Sequence, residues 1–320
     1  MTFAGSPDRA EARLVPEAGY ELDTFRVSGF PRTVTPALAG ALLRAGTAPA
    51  VCRAILRRRR PDVVLGGGGY VAGPMVLAAA TMRIPTALTE ADAHLGLANR
   101  LALPFAQRVF LAYPLPSHNG RKFRVVGRPI PARARAIPQD EAREIFELPA
   151  DGPVLLVAGA LAGARSINEL VVEAFGQVGP PILHISGRRD YESLRARVRR
   201  ADYRLIPETE RIGAAYSAAD LVLSRAGSSV WEIAAAGRPA VLVPYPFATG
   251  DHQARNAEFF VRAGGAIMVR DLDIDDVPDL VRSLLDDPSR LHRMGEAMLR
   301  AARPDAADEI AEELIALAAT

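Results

Sequence analysis

Short apolar runs alternate with helix-like segments along nearly the whole chain. Asp62–Leu65, Thr86–Leu88, Arg108–Leu111, Val154–Val157, Ile182–Ile185, Leu221–Ser224 and Ala240–Val243 have the length and continuity of strands buried on both faces. Most are followed by a turn and then a helical pattern, so the reading is βα units, parallel sheets and helices on both sheet faces. The rhythm pauses once, between Val125 and Pro153, where Pro129, Pro131, Pro138, Pro149 and Pro153 surround a short charged helix at Asp140–Phe146. That stretch is the candidate domain junction. The expected class is α/β, with two doubly wound domains facing each other across a cleft. Ligands in such sheets bind outside the carboxyl ends of the strands.

One pair of such units carries the densest chemistry. The strand Leu221–Ser224 runs into Arg225-Ala-Gly-Ser-Ser229 and an alanine-rich helix that stops at Gly237. A helix start offers unpaired amides to phosphate, and Ser228 and Ser229 can cap it or add hydroxyl donors without bulk. Glu232 stands four residues after Ser228, on the same helical face, where a carboxylate can accept both hydroxyl protons of a ribose cis-diol. A strand follows Pro239. Asp251 then reads as the N-cap of a helix carrying Gln253 and Asn256, and neutral amides suit sugar hydroxyls because they donate and accept at once. In sequence order this is a reader of diphosphate, ribose and sugar. The bland alternative for each residue alone is a solvated or capping role.

A second anion loop lies earlier. Asp62-Val-Val-Leu-Gly66-Gly67-Gly68-Gly69-Tyr70 is a strand entering four consecutive glycines, whose backbone can approach a phosphate closely. The spacing fits neither the dinucleotide fingerprint nor the P-loop, and a tight turn without chemistry is the competing reading. Before it, Pro36 to Arg60 is apolar, with Leu38, Leu42, Leu43, Val51, Ile55 and Leu56, and ends in Arg57-Arg-Arg-Arg60. An apolar face beside a basic cluster suits an anionic membrane surface; a core-packing helix pair with a solvated basic end is the alternative.

Bulk properties narrow the class. At 320 residues two domains are expected, and 49% hydrophobic with 24% charged residues fits a globular protein. The net charge of +2 argues against a nucleic-acid partner, and the single Cys52 excludes a disulfide framework and a cysteine-based metal cluster. The longest apolar stretch, Tyr70 to Met82, is broken by Gly73 and Pro74 and too short to span a bilayer. No signal peptide is legible in Met1–Leu14. No cofactor is expected. The five histidines are scattered, so no metal is expected.

With these residues in hand, the chain resembles the MurG family, glycosyltransferases that move N-acetylglucosamine from UDP onto undecaprenyl-diphosphate-linked N-acetylmuramyl-pentapeptide at the cytoplasmic membrane face. The resemblance runs from about Phe3 to the C-terminus. It implies a GT-B fold, with an acceptor and membrane-side domain at 1–127, a UDP-GlcNAc domain at 128–304, and a C-terminal helix, 305–320, crossing back to the first domain. Gly66-Gly-Gly-Gly-Tyr-Val-Ala-Gly-Pro74 is similar to the family loop that serves the lipid diphosphate, with Gly66, Gly67, Gly68, Gly69 and Tyr70 as its acceptor residues. Ser224–Gly237 and Asp251–Asn256 are similar to the donor site. The residues implied there are Asp92, Gly163, Thr209, Gly227, Ser228, Ser229, Glu232 on the ribose, His252, Gln253 on the sugar, and Asn256. The segment Arg165–Asn168 follows the family's phosphate-side loop. The implied partners are UDP-GlcNAc, the undecaprenyl-linked lipid I and an anionic membrane surface.

The departures from the pattern bear on catalysis. Thr89-Glu-Ala-Asp92 replaces the usual His-Glu-Gln-Asn, Gly159-Ala160-Leu161 replaces Gly-Gly-Ser, and Arg128-Pro-Ile-Pro131 replaces Asn-Pro-x-Arg. The entrance at Ser228 is one residue shorter than usual. Family members open with a strand and a glycine loop bearing a histidine base, whereas Met1-Thr-Phe-Ala-Gly5 matches the end of their second strand. The expectation is an N-terminal truncation, most simply a misplaced start codon, which an in-frame stop just upstream of Met1 would contradict. As written, the chain is expected to have reduced activity, with the base unknown and His94 the weak candidate. The rival readings are a nucleotide-sugar transferase with another acceptor, or a UDP-sugar-binding protein with impaired catalysis.

Overall fold

The structure is a computed structural model that describes residues 1–27, 36–159 and 164–319, with side chains omitted over 36–47. In chain order the first part comprises β1 (Phe3–Gly5), α1 (Glu11–Glu17), β2 (Leu22–Thr24), α2 (Pro36–Arg59), β3 (Val64–Gly66), α3 (Gly69–Thr81), β4 (Thr86–Glu90), α4 (Leu97–Ala102), β5 (Arg108–Leu111) and β6 (Phe123–Val125). The second part begins with α5 (Gln139–Ile145), β7 (Leu155–Ala158), α6 (Arg165–Phe175), β8 (Ile182–Ile185), α7 (Arg188–Arg195), β9 (Tyr203–Ile206) and α8 (Ile212–Ala218). It continues with β10 (Leu221–Ser224), α9 (Val230–Ala235), β11 (Ala240–Leu242), α10 (His252–Arg262), β12 (Ala266–Met268), α11 (Val277–Leu285) and α12 (Pro288–Ala301), and α13 (Ala306–Ala318) ends the chain.

Two compact units result, residues 1–126 with 308–319 and residues 127–307. All strand pairs are parallel. In the first unit they form a β1-β2 pair and a separate β3-β4-β5-β6 sheet. The C-terminal helix belongs to this unit: Ile310 and Leu317 pack with Ala87 and Phe110, and Glu313 accepts from Arg108 at 3.0 Å and Arg124 at 3.3 Å.

The second unit carries one six-stranded sheet in the order β12-β11-β10-β7-β8-β9. Counted from β7, this is the 3-2-1-4-5-6 order of a doubly wound dinucleotide-type sheet, with its switch point between β7 and β10. Those two central strands are wholly buried, which is why their apolar runs are continuous. The edges differ: β6, β9 and β12 are short and only partly buried, β6 and β9 each carry an arginine, and the apolar-run pattern does not mark them. The stretch Pro36 to Arg60, whose alternative reading is a core-packing helix pair, forms one helix, α2. Of its expected apolar positions, Leu38, Leu42 and Leu43 lie outside the described side chains. Ile55 and Leu56 are buried with Cys52, whereas Val51 is exposed.

A polar network crosses the core of the second unit. His184 on β8 is fully buried; its Nδ1 meets the Tyr203 hydroxyl at 2.8 Å and its Nε2 the Asn168 Oδ1 at 3.0 Å. Asn168 then donates to the Ser186 carbonyl and to Asp190. Asn168 thus fastens the first turn of α6 to the sheet. Burial pushes the His184 pKa down from 6.5 to about 3, only partly opposed by the Asp190 carboxylate. The imidazole is neutral in the fold and gains a proton on unfolding, so this part of the stability is complete above pH 6.5 and is lost as pH falls toward 3. In denaturant titrations from pH 7 to 4, the wild type should lose up to about 1.4 kcal/mol per pH unit relative to His184→Gln; parallel curves for the two proteins would contradict this assignment.

Candidate functional site

The carboxyl end of β10 lies at the switch point, and the chain there turns through Arg225 to Ser229 before α9. Among the described residues, the backbone N–H groups of Gly227, Ser228 and Ser229 donate to no acceptor. Neither serine hydroxyl caps the helix, contrary to the capping reading; Ser229 occupies the N-cap position without a side-chain bond. Donors left unspent by the fold are available to an anion. Beneath them, Arg225 is buried to 7% exposure. Its Nη1 donates to the carbonyls of Val243 and Pro244, each at 3.2 Å, and to Asp271, while Nη2 donates to Ser166 Oγ at 2.7 Å. Ser166 closes the circuit by donating to Asp271 at 2.9 Å. One side chain therefore ties the β10 loop, the strand end after β11, the start of α6 and the segment before α11. Arg225 lay inside the motif read from sequence but was given no role there, because its partners are distant in the chain.

Glu232 is half buried and accepts from the Tyr216 hydroxyl of α8 at 3.2 Å. Desolvation raises its carboxyl pKa above the usual value; the Tyr216 hydrogen bond and the positive charges of Arg128 and Arg133 oppose that shift. Burial and the adjacent carboxylate push the Tyr216 phenol well up, so it remains a donor. On α10, Gln253 Oε1 accepts from the Tyr245 N–H at 2.9 Å, and its Nε2 lies 4.0 Å from the point a β-carbon on Gly227 would occupy. The amide expected to read a sugar and the loop expected to hold phosphate are thus brought together.

Four of the expected residues also have roles in the fold. Asn256 is fully buried and donates to the Ala226 carbonyl at 3.3 Å, supporting the loop from within. Asp251 is at the N-cap position of α10 but in the left-handed region (φ 54°), with no side-chain capping bond. His252 donates through Nδ1 to the Thr249 carbonyl at 2.9 Å, bracing the same turn. Thr209 lies between β9 and α8, its hydroxyl accepting from the Arg211 N–H at 3.0 Å. Gly163, with Ala160 and Leu161, falls outside the described residues.

In the first unit the four glycines divide by cause. A β-carbon at Gly66 would stand 2.8 Å from Leu88 and 2.9 Å from Val76, so close packing of β3 requires glycine there. Gly68 and Gly69 have φ of 83° and 67° and lead into α3. Gly67 meets nothing within 4 Å. The Tyr70 hydroxyl accepts from Arg9 Nε at 2.8 Å. Next to this loop, buried Glu90 accepts from the Gly96 N–H and Asn99 Nδ2, both at 2.9 Å, and from the Asp92 N–H at 3.3 Å. Glu90 and Asn99, missed in the sequence, organise the β4–α4 loop that bears Asp92 and His94. The Glu90 carboxylate is spent on amides, and His94, half buried, has no hydrogen-bond partner among the described residues. Among the described residues, no carboxylate therefore orients His94 as a base.

The basic end of α2 is also changed. Arg59 pairs with Asp23 at 2.8 Å and with Glu21, and Arg58 pairs with Asp23. These hydrogen bonds and charges, Arg59 foremost, hold the Asp23 carboxyl below its usual pKa against burial. Two of the four arginines in the cluster therefore fasten α2 to β2.

A doubly wound sheet of this order, with an unspent donor loop at its switch point, defines a nucleotide-handling α/β protein. The comparisons place it further. Residues 2–111 match the glycosyltransferase family 28 N-terminal domain and residues 154–310 the family 28 C-terminal domain, which makes the chain a glycosyltransferase of that class. Three relatives share the description UDP-N-acetylglucosamine--N-acetylmuramyl-(pentapeptide) pyrophosphoryl-undecaprenol N-acetylglucosamine transferase. The Acidithiobacillus ferrooxidans protein is 40% identical over 98% of this chain and 89% of its own length. The Halothermothrix orenii protein is 34% identical (95% and 87%), and the Rubrobacter xylanophilus protein 36% identical (99% and 95%). The crystal structure of MurG from Acinetobacter baumannii superposes with a TM-score of 0.80 at 27% identity, covering 98% of this chain and 90% of that one. The calicheamicin glycosyltransferase CalG4, at 18% identity and a TM-score of 0.67, shares the fold. The chain belongs to the MurG family, and its fold is of the GT-B type.

Glu232→Gln separates binding from stability. The raised pKa means that the folded protein holds this proton more tightly than the unfolded chain, so the ionised carboxylate costs stability once pH exceeds its folded pKa. At pH 7 the glutamine variant should melt higher than the wild type yet bind UDP about tenfold or more weakly, through loss of charge-assisted bonds to the ribose diol. Unchanged UDP affinity in calorimetry would remove Glu232 from the nucleotide site.

Proposed function

We propose that the chain transfers N-acetylglucosamine from UDP-GlcNAc to the undecaprenyl-diphosphate-linked N-acetylmuramyl-pentapeptide, lipid I, giving lipid II in peptidoglycan synthesis. The observation that carries this reading is the donor set at the switch point: open amides and hydroxyls over Gly227–Ser229, Glu232 beside them, and Gln253 against Gly227. The diphosphate lies on the loop, the ribose on Glu232 and the sugar on Gln253. In an inverting displacement the acceptor hydroxyl oxygen bonds to the anomeric carbon as the bond to the diphosphate oxygen breaks. A base takes the hydroxyl proton, and the departing UDP leaves its charge on the amides of the loop. Gly67–Gly69 and the start of α3 receive the lipid diphosphate.

The acceptor is a membrane lipid, and no helix among the described residues is long and apolar enough to cross a bilayer. The proposed contact is peripheral, at the cytoplasmic face, and α4 supports it. Leu97 and Leu101, each 64% exposed, share one face, with Phe105 just beyond and exposed Arg100 between them. Apolar side chains beside a cation suit an anionic headgroup layer. The Arg57–Arg60 cluster contributes less than its composition implies, since Arg58 and Arg59 are engaged.

Two measurements test the reading. Purified chain with UDP-GlcNAc and lipid I should form lipid II; tight UDP-GlcNAc binding without turnover would favour an impaired UDP-sugar binder. Sedimentation with vesicles containing phosphatidylglycerol should fall at least about fivefold for Leu97→Ser/Leu101→Ser, at roughly 1 kcal/mol or more of lost apolar burial for the pair. Undiminished sedimentation would take α4 away from the membrane.

A further inference from the structure

The six-stranded sheet has a second end, away from the donor loop. There, by the amino ends of β10 and β11, lies an open groove of about 510 Å³ lined by Pro153, Asp220, Arg238, Pro239, Leu291 and Leu299 among others. That volume is within the range of small-molecule sites, roughly 300–1,000 Å³. Its walls are largely proline, leucine and glycine, and Leu299 is 54% exposed.

Arg238 gives the groove its chemistry. Its Nη2 donates to the Ser217 carbonyl at 2.8 Å, but its Nε is buried with no acceptor, and no carboxylate among the described residues forms an ion pair with it. Asp220 is the acidic group that acts on it, and that carboxylate is already committed to Arg143 Nη2 at 2.8 Å, the Val154 N–H at 2.7 Å and Gln139 at 3.2 Å. Two guanidinium groups thus share one carboxylate. Desolvation lowers the Arg238 pKa, the sign of a cation held away from water without full compensation. On the rim His292 meets Glu296 at 3.3 Å, and Glu296 also accepts from Arg300 at 3.5 Å. A partly desolvated cation without a matching anion is costly, and a planar fork matches a carboxylate best.

We infer that this groove is a second ligand site, taking a small carboxylate whose apolar body lies along Leu291 and Leu299 while its head pairs with Arg238. The site has a short path to the donor loop. Arg238 follows α9, which carries Glu232, and it holds the carbonyl of Ser217, the neighbour of Tyr216, whose hydroxyl donates to Glu232. An anion on Arg238 therefore bears on the two helices that set the ribose carboxylate. The inference is independent of the transfer reaction, because it rests on groups at the other end of the sheet.

Octanoate is the probe. Calorimetric titration of the full chain, with and without saturating UDP, should show saturable one-to-one binding in both cases, with butanoate about tenfold or more weaker for its missing methylenes. Arg238→Gln should weaken octanoate about tenfold or more. Leu299→Glu, at an exposed wall position where the fold tolerates change, should weaken it as well by setting a like charge beside the carboxylate, and it carries the test if Arg238→Gln does not fold. Non-saturable binding, affinity unchanged in the variants, or displacement of octanoate by UDP would each overturn the inference.

Discussion

The buried guanidinium of Arg225 is the constraint on which the donor site depends. A parallel sheet ends in loops, and a loop holds three amides open toward solvent only if something beneath fixes its path. Arg225 does so by drawing the Val243 and Pro244 carbonyls, Ser166 and Asp271 onto one planar group. Asn256 adds the Ala226 carbonyl from the other side. With the backbone restrained in this way, the N–H groups of Gly227–Ser229 need not turn inward to find acceptors, and the site is organised before a ligand arrives. A charge so nearly removed from water is retained because its partners are numerous and well placed.

The same unit holds groups that oppose stability for the sake of binding. Glu232 is kept in a partly desolvated position where ionisation is disfavoured, and Tyr216 and two arginines only partly compensate. Under the proposed donor reading, a nucleotide diol would recover part of that cost. His184 behaves differently. Its hydrogen bonds are satisfied within the core, and it remains neutral, serving as a brace between α6 and the sheet.

Much of this was legible in the sequence where one physical cause dominated. Central strands such as Leu221–Ser224 are buried on both faces, so their apolar runs are unbroken. The grouping of Ser228, Ser229 and Glu232 at one helix start follows from their spacing after the glycine turn, and Gln253 belongs to a later helix, α10. The edge strands β6, β9 and β12 lack that signature because one side meets solvent. The spacing of Asn256 from Gln253 says only that the two are neighbours; its contact with Ala226 is set by packing of α10 against the sheet. The Arg57–Arg60 cluster looked free because Glu21 and Asp23, which engage two of its members, come from another element. Asp271 and Ser166 could not be paired with Arg225 from the sequence, since only the fold makes them adjacent.

A crystal structure of the chain with UDP tests the central claim most directly. The account predicts the diphosphate oxygens on the N–H groups of Gly227–Ser229 and both ribose hydroxyls within hydrogen-bond reach of the Glu232 carboxylate, about 2.6–3.0 Å. A nucleotide bound elsewhere on the sheet, or with its ribose turned away from Glu232, would contradict it.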